Sequence, residues 1–157
     1  MLLYHGTLWT SAQRIMKGGI NLAFGKTGTD FGPGFYTTTS ERQARSWAWQ
    51  LAAQAGPGRR GGVVTLTADR GVLARCETLL FVRGDYDAED FWSFVFHCRG
   101  GSPDHGRGGK KPMYDVVCGP VAAFWTQRLA IADADQISFH TSTVKRILKV
   151  TRIERVP

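Results

Sequence analysis

Hydrophobic positions change rhythm several times along the chain, and each change marks an element. Leu2, Leu3, Tyr4, His5, Gly6 and Thr7 read as a short strand cut off by glycine. Thr10, with Gln13 in the reciprocal capping position, predicts a short helix that buries Ile15 and Met16 and stops at Gly18-Gly19. Residues 21–34 are glycine-rich and read as a loop, after which Phe35 and Tyr36-Thr37-Thr38-Thr39 turn extended. Ser40 to Gln43 form a second capping box, and the helix behind it has the clearest pattern in the chain. Ala44, Trp47, Ala48, Leu51, Ala52 and Ala55 make one apolar stripe at helical spacing, ended by Gly56-Pro57-Gly58.

Residues 63–67 and 78–82 read as strands, and residues 89–98 as a short helix carrying Phe91, Trp92, Phe94 and Val95. Residues 114–118 predict a strand ended by Gly119-Pro120, and residues 136–140 a further short one. Thr141 or Ser142 caps a last helix with Val144, Ile147 and Leu148 inward, and residues 150–156 close as an edge strand. Many short strands with few helices give an α+β fold, not regular βαβ alternation. Residues 99–111 hold five glycines, one proline and four basic side chains, and read as a long exposed loop.

Composition bounds the picture. With 157 residues and 43% hydrophobic side chains, the chain suits a single domain spanning 1–157. Five Trp and nine Phe, with only 21% charged residues, speak against disorder. Apolar runs fall short of the roughly 20 residues that span a bilayer, so no membrane contact is expected. The start lacks a basic segment and a small-residue cleavage site, so a cytoplasmic protein is expected. Cys76, Cys98 and Cys118 are odd in number and lack CxxC spacing, which points to small packed hydrophobes, not disulfides. His97, His105 and His140 lack metal-ligand spacing, and no metal is expected.

Lys and Arg total 20 against 13 Asp and Glu, a formal +7, and 14 of the 20 are Arg. A solubilising surface explains this excess. So does an acidic partner, whether nucleic acid, dinucleotide or acidic protein.

Three motifs carry candidate chemistry: Tyr4-His5-Gly6-Thr7, the stretch from Asp30 to Thr38, and Asp135 to Thr141. Each alone has a plain structural account as a satisfied histidine, a turn or a surface glutamine. The glycines match neither GxxxxGK[ST] nor GxGxxG, which excludes the familiar phosphate loops. In this order and spacing, the motifs resemble the H-Y-[E/D/Q] branch of the ADP-ribosyltransferase superfamily. More narrowly, Tyr4 to Thr7, Asp30 to Thr38, Gln43 to Ala48, Tyr114 to Pro120 and Asp135 to Thr141 resemble a group of small bacterial proteins labelled DUF3990.

The resemblance implies a split, strongly bent sheet with flanking helices and NAD as co-substrate in a cleft between its halves. It implies that His5 bonds the adenosine ribose, that Gly6 and Thr7 offer backbone to the nicotinamide amide, and that Tyr36 stacks on the nicotinamide ring. Phe31 and Gly34 fall in the same implied cofactor site. These residue types suit the task, because glycine admits a flat ring and an aromatic face stacks on it. Gln136 falls where many relatives carry a catalytic glutamate. It can bond a ribose hydroxyl but brings no charge. Three accounts fit: the acceptor supplies its own nucleophilic or basic group, an acid such as Asp133 or Asp135 assists, or the domain binds NAD without transfer. The first is preferred, since glutamine is an accepted third residue in this branch.

The expected function is therefore mono-ADP-ribosyl transfer from NAD to a macromolecule, with His5, Tyr36 and Gln136 as catalytic residues. By analogy, the role is that of an intracellular bacterial toxin held by an antitoxin, or of a defence effector. Arg99, Arg107, Lys110 and Lys111 are candidate contacts to the acceptor, with DNA or RNA slightly favoured over protein. The alternative is a weakened module of the same fold that binds NAD or nucleic acid. Asp115 reads as a structural hydrogen-bonding carboxylate.

Overall fold

The computed structural model describes residues 1–82 and 88–156. Among them the chain is mixed α+β, with seven strands in two sheets and five helices. It divides into two compact units. The first comprises residues 1–20, 37–75 and 144–157, the second residues 21–36 and 76–143.

The first unit is built on three antiparallel strands in the order β1 (Leu2–Leu8), β3 (Gly61–Ala68), β7 (Leu148–Val156). Two adjacent glycines at the start of β3 show how its faces are used. A side chain on Gly61 would meet Ala48 of α2 (Glu41–Gln54), and one on Gly62 would meet Ala12 of α1 (Trp9–Gly18). Successive strand residues face opposite ways, so the two helices cover opposite faces of this sheet. Ser40 caps α2 as predicted, its hydroxyl accepting from the Gln43 N–H. The buried stripe of α2 consists of Ala44, Ala48 and Ala52, while Trp47 is 53% exposed. Alanines at i, i+4, i+8 let the helix lie close on the strands, and the bulky indole turns outward.

Several expectations for this unit shift. Helix α1 begins at Trp9, whose N–H donates to the Arg60 carbonyl at 2.8 Å, and Leu8 stands at its cap without a side-chain bond. Ala12 is its buried residue, and Met16 is 48% exposed. Helix α3 (Arg70–Leu73) was not expected, although Asp69 caps it by accepting from the Val72 N–H. The last helix, α5 (Val144–Ile147), is a single turn that runs straight into β7, and Thr141 bonds Asp115 instead of capping it. Val144, Ile147 and Leu148 are buried as expected, but Leu148 opens β7, the edge strand, two residues earlier than expected and is not on the helix.

The second unit holds four strands in the order β2 (Phe35–Thr37), β6 (Leu129–Phe139), β5 (Val116–Phe124), β4 (Thr78–Leu80). Strand β4 runs parallel to β5, and β5 pairs antiparallel with β6. The aromatic stripe of α4 (Glu89–Arg99) packs here, with Phe91, Trp92 and Val95 buried beside Phe31, Phe81 and Val117. Each fully buried side chain of this size contributes about 2–3 kcal/mol. Strand β5 runs through Gly119-Pro120 instead of stopping there. The register slips between Pro120 and Val121, and a slip tolerates a residue with no N–H to give the ladder. Strand β6 begins seven residues earlier than expected, since its Ala- and Asp-rich first half extends only through pairing with β5. No helix among the described residues is long and apolar enough to cross a membrane.

Candidate functional site

The glycine-rich loop of the second unit is held by the side chains of His105, Tyr36 and His140. His105 Nε2 lies 3.0 Å from the Phe31 carbonyl. The Tyr36 hydroxyl donates to the Gly32 carbonyl at 2.7 Å and accepts from the Phe31 N–H at 3.0 Å. His140 Nδ1 lies 2.8 Å from the Pro33 carbonyl. Three consecutive carbonyls thus each have a side-chain partner. Gly34 completes the fit, because a side chain there would lie 2.7 Å from His140 Nδ1.

Asp30 opens this loop and is 4% exposed. One carboxylate oxygen accepts from Arg99 Nε at 2.8 Å, with Arg99 Nη2 at 2.5 Å. The other accepts from the Ala122 N–H at 2.9 Å and from Gln136 Nε2 at 2.6 Å. Gln136, 8% exposed on β6, also donates to the Pro120 carbonyl at 2.9 Å. A carbonyl oxygen facing Asp30 and Pro120 would be repelled, so the amide has one orientation. Both N–H groups are committed, and what Gln136 retains for a ligand is the acceptor oxygen Oε1.

The hydrogen bonds of His105 require its neutral form. His105 Nδ1 accepts from the Tyr114 N–H at 2.9 Å, leaving Nε2 to donate. His140 donates from Nδ1 and lies 2.7 Å from Ser138 Oγ through Nε2. Burial, partly offset by the bond to Pro33, pushes His140 down to about 4, and burial lowers His105 as well. Burial also raises the Tyr36 hydroxyl, against its hydrogen bonds from Thr29 and Phe31, so it stays protonated.

The remaining sequence candidates fall as follows. His5 lies mid-strand on β1 opposite Val64, half-buried, and Thr7 lies opposite Gly62. Gly6 is where α2 approaches β1, since a side chain there would sit 2.2 Å from the Ala44 carbonyl oxygen. The Phe31 ring is fully buried in the core, so this residue meets polar partners only through its backbone. Arg107 pairs with Glu77 and lies over the Tyr114 ring, 3.9 Å from its centroid. Lys110 is exposed, and Lys111 lies 3.8 Å from Glu77. Asp135 adjoins Gln136 in the strand and so faces the other way, and Asp133 is exposed. Asp115 binds Thr141, Thr143 and the Glu77 N–H, as a structural carboxylate should.

Sequence reasoning assigned no role to Asp30, His105, His140 or Ser138. Asp30 was visible as the first residue of its motif. Nothing in the sequence marked its two distant partners, Arg99 and Gln136.

No curated protein matches the chain. The family model described as "Protein of unknown function (DUF3990)" matches residues 1–130, a stretch that includes His5, Asp30, Tyr36 and Arg99 and ends before Gln136. The chain belongs to the DUF3990 family.

Proposed function

We propose that this chain is an NAD-dependent mono-ADP-ribosyltransferase. The observation that carries the reading is the fixed amide of Gln136, held by Asp30 and Pro120 with both donors used. Such a group accepts a hydrogen bond from the 2′-hydroxyl of the nicotinamide ribose and orients that sugar. The acceptor nucleophile then attacks C1′ while the C1′–nitrogen bond to nicotinamide breaks. Nicotinamide leaves with the bonding electron pair, and the acceptor loses its proton to solvent or to a base of its own.

Glutamine lacks the charge that a glutamate would bring to an oxocarbenium-like transition state. Asp30 stands directly behind the amide, but Arg99 balances its charge. What reaches the reacting sugar is polarisation of the amide through a hydrogen bond, not a net negative field. This supports an acceptor that contributes its own nucleophilic or basic group. The ring of Tyr36, its hydroxyl already tied to the loop, supplies the nicotinamide platform in this reading. The order and spacing of the motifs support the same assignment. The neutrality of Gln136 also favours a second reading, an NAD-binding module without transfer.

Incubation with NAD labelled in the adenylate, together with cell lysate, tests the proposal. Label should pass to a macromolecule as nicotinamide is released, and nuclease or protease then identifies the acceptor. The absence of both transfer and nicotinamide release would overturn it, and NAD binding without either would establish the second reading.

A further inference from the structure

The positive charge of this chain is not shared between its units. The first unit carries thirteen Lys and Arg against three acidic residues, a formal +10. The second carries seven against ten, a formal −3. Of the three acids in the first unit, Glu41 and Glu154 already pair with Arg45, and Asp69 caps α3. In the second unit, Arg99 and Arg107 are engaged with Asp30 and Glu77.

Three arginines of the first unit gather about Trp9. Arg59 and Arg60 are exposed and line a cavity of about 110 Å³ together with Leu8, Trp9, Thr10 and Gly58. Strand pairing sets Arg155 opposite Gly62, and its guanidinium lies 5.0 Å from the centre of the Trp9 ring. The Trp9 N–H bonds the Arg60 carbonyl, which ties the two flanks together. Two arginines thus line the cavity, and a third lies over the indole that lines it with them.

We infer that this arginine cluster is a binding site for a nucleic-acid backbone. Guanidinium forks match the paired oxygens of a phosphodiester, and a unit of net +10 draws a polyanion by counterion release. An anionic membrane fits less well. Trp9 is the aromatic ring that lines this cavity, and the Arg155 guanidinium lies over it, so the ring is not presented to lipid here. The inference does not depend on transferase activity, since it concerns binding without NAD.

The test is anisotropy of labelled single-stranded DNA and RNA oligonucleotides, titrated with the full chain at several salt concentrations and without NAD. The Arg59→Gln/Arg60→Gln double variant should weaken binding by about tenfold or more, and lower the slope of log affinity against log salt by about two. Arg155→Gln should lower that slope by about one, and Arg155→Lys should restore it. Lys26→Gln, an exposed lysine of the second unit, should stay within about twofold of the parent. Circular dichroism checks that each variant folds, and Arg155→Gln carries the test alone if the double variant does not. Unchanged affinity in the arginine variants overturns the assignment. So does an equal loss in the lysine variant, or an arginine-dependent affinity for phosphatidylserine vesicles that the oligonucleotides lack.

Discussion

Gln136 and Asp30 lie 106 residues apart in sequence, and Nε2 of the first meets Oδ2 of the second at 2.6 Å. This one bond turns a neutral side chain into a group of fixed orientation. Replacing Asp30 with Asn removes the charge opposite Arg99 and the strongest acceptor for the amide. Breaking one side of a buried ion pair costs about 3–5 kcal/mol. The Arg99 side chain is 28% exposed, so the lower end of that range is expected. Denaturant midpoints measure it, and a loss below about 1 kcal/mol would show that the pair does not hold the loop.

Gln136→Glu does more than restore the carboxylate that many relatives carry. It sets a second carboxylate against Asp30, and like charges at this distance raise a pKa. Folded-state affinity for the proton then exceeds that of the unfolded chain. The variant should match the parent below the ordinary carboxylate range and lose stability as pH rises through the raised value. Urea midpoints from pH 4 to 8 give the curve. A flat difference would mean that the new carboxylate turns away from Asp30. Under the proposed function, Gln136→Ala and Gln136→Glu should both change nicotinamide release, and equal rates in all three proteins would remove Gln136 from the site.

Tyr36→Phe keeps the ring and deletes a hydroxyl that bonds Gly32, Phe31 and Thr29. Leaving the Phe31 N–H without its partner costs about 1–3 kcal/mol. If the ring is the stacking platform, the KM for NAD should change less than stability does. A kinetic collapse with unchanged stability would place the hydroxyl itself in the chemistry.

His140 gives a pH signature. Its folded value of about 4 lies below the ordinary 6.5, so the unfolded chain takes up a proton first as pH falls. The stability its neutral form supplies is complete above about 6.5 and drains away down to about 4, about 3 kcal/mol in all. His105, lowered in the same direction, adds to it. The imidazole resonances followed by NMR should show His140 titrating near the lower value. Titration near 6.5 would mean that the ring is not buried as described.

Gly6→Ala asks whether the first motif is a packing device. The added methyl would collide with the Ala44 carbonyl of α2, and such overpacking costs about 1–3 kcal/mol or more. A thermal midpoint near the parent's would show that β1 and α2 can separate freely.

Much of this was legible beforehand because it rests on local chemistry. Ser40 announces α2 through a bond three residues away, and the stripe of α4 follows from side-chain spacing. The errors cluster where a distant partner decides. Strand β6 outruns its own propensity because β5 pairs with it, and Thr141 abandons a helix cap for Asp115. Trp47 matched the helical period yet faces outward, since only alanine fits under α2. The candidate site divides the same way. Tyr36 and Gln136 stood out as residue types in motifs, whereas the link from Asp30 to Arg99 and Gln136 exists only in three dimensions.

The three carbonyls of residues 31 to 33, each met by its own side chain, bear on how a ligand would bind. A loop that must be ordered on contact loses conformational entropy at that moment, and its affinity falls accordingly. Here that loss is incurred once, when the unit folds around His105, Tyr36 and His140. A molecule arriving at this loop meets a surface already set, so its affinity should track the contacts it makes. Slow hydrogen exchange in residues 31–36 of the free protein is the corresponding signature.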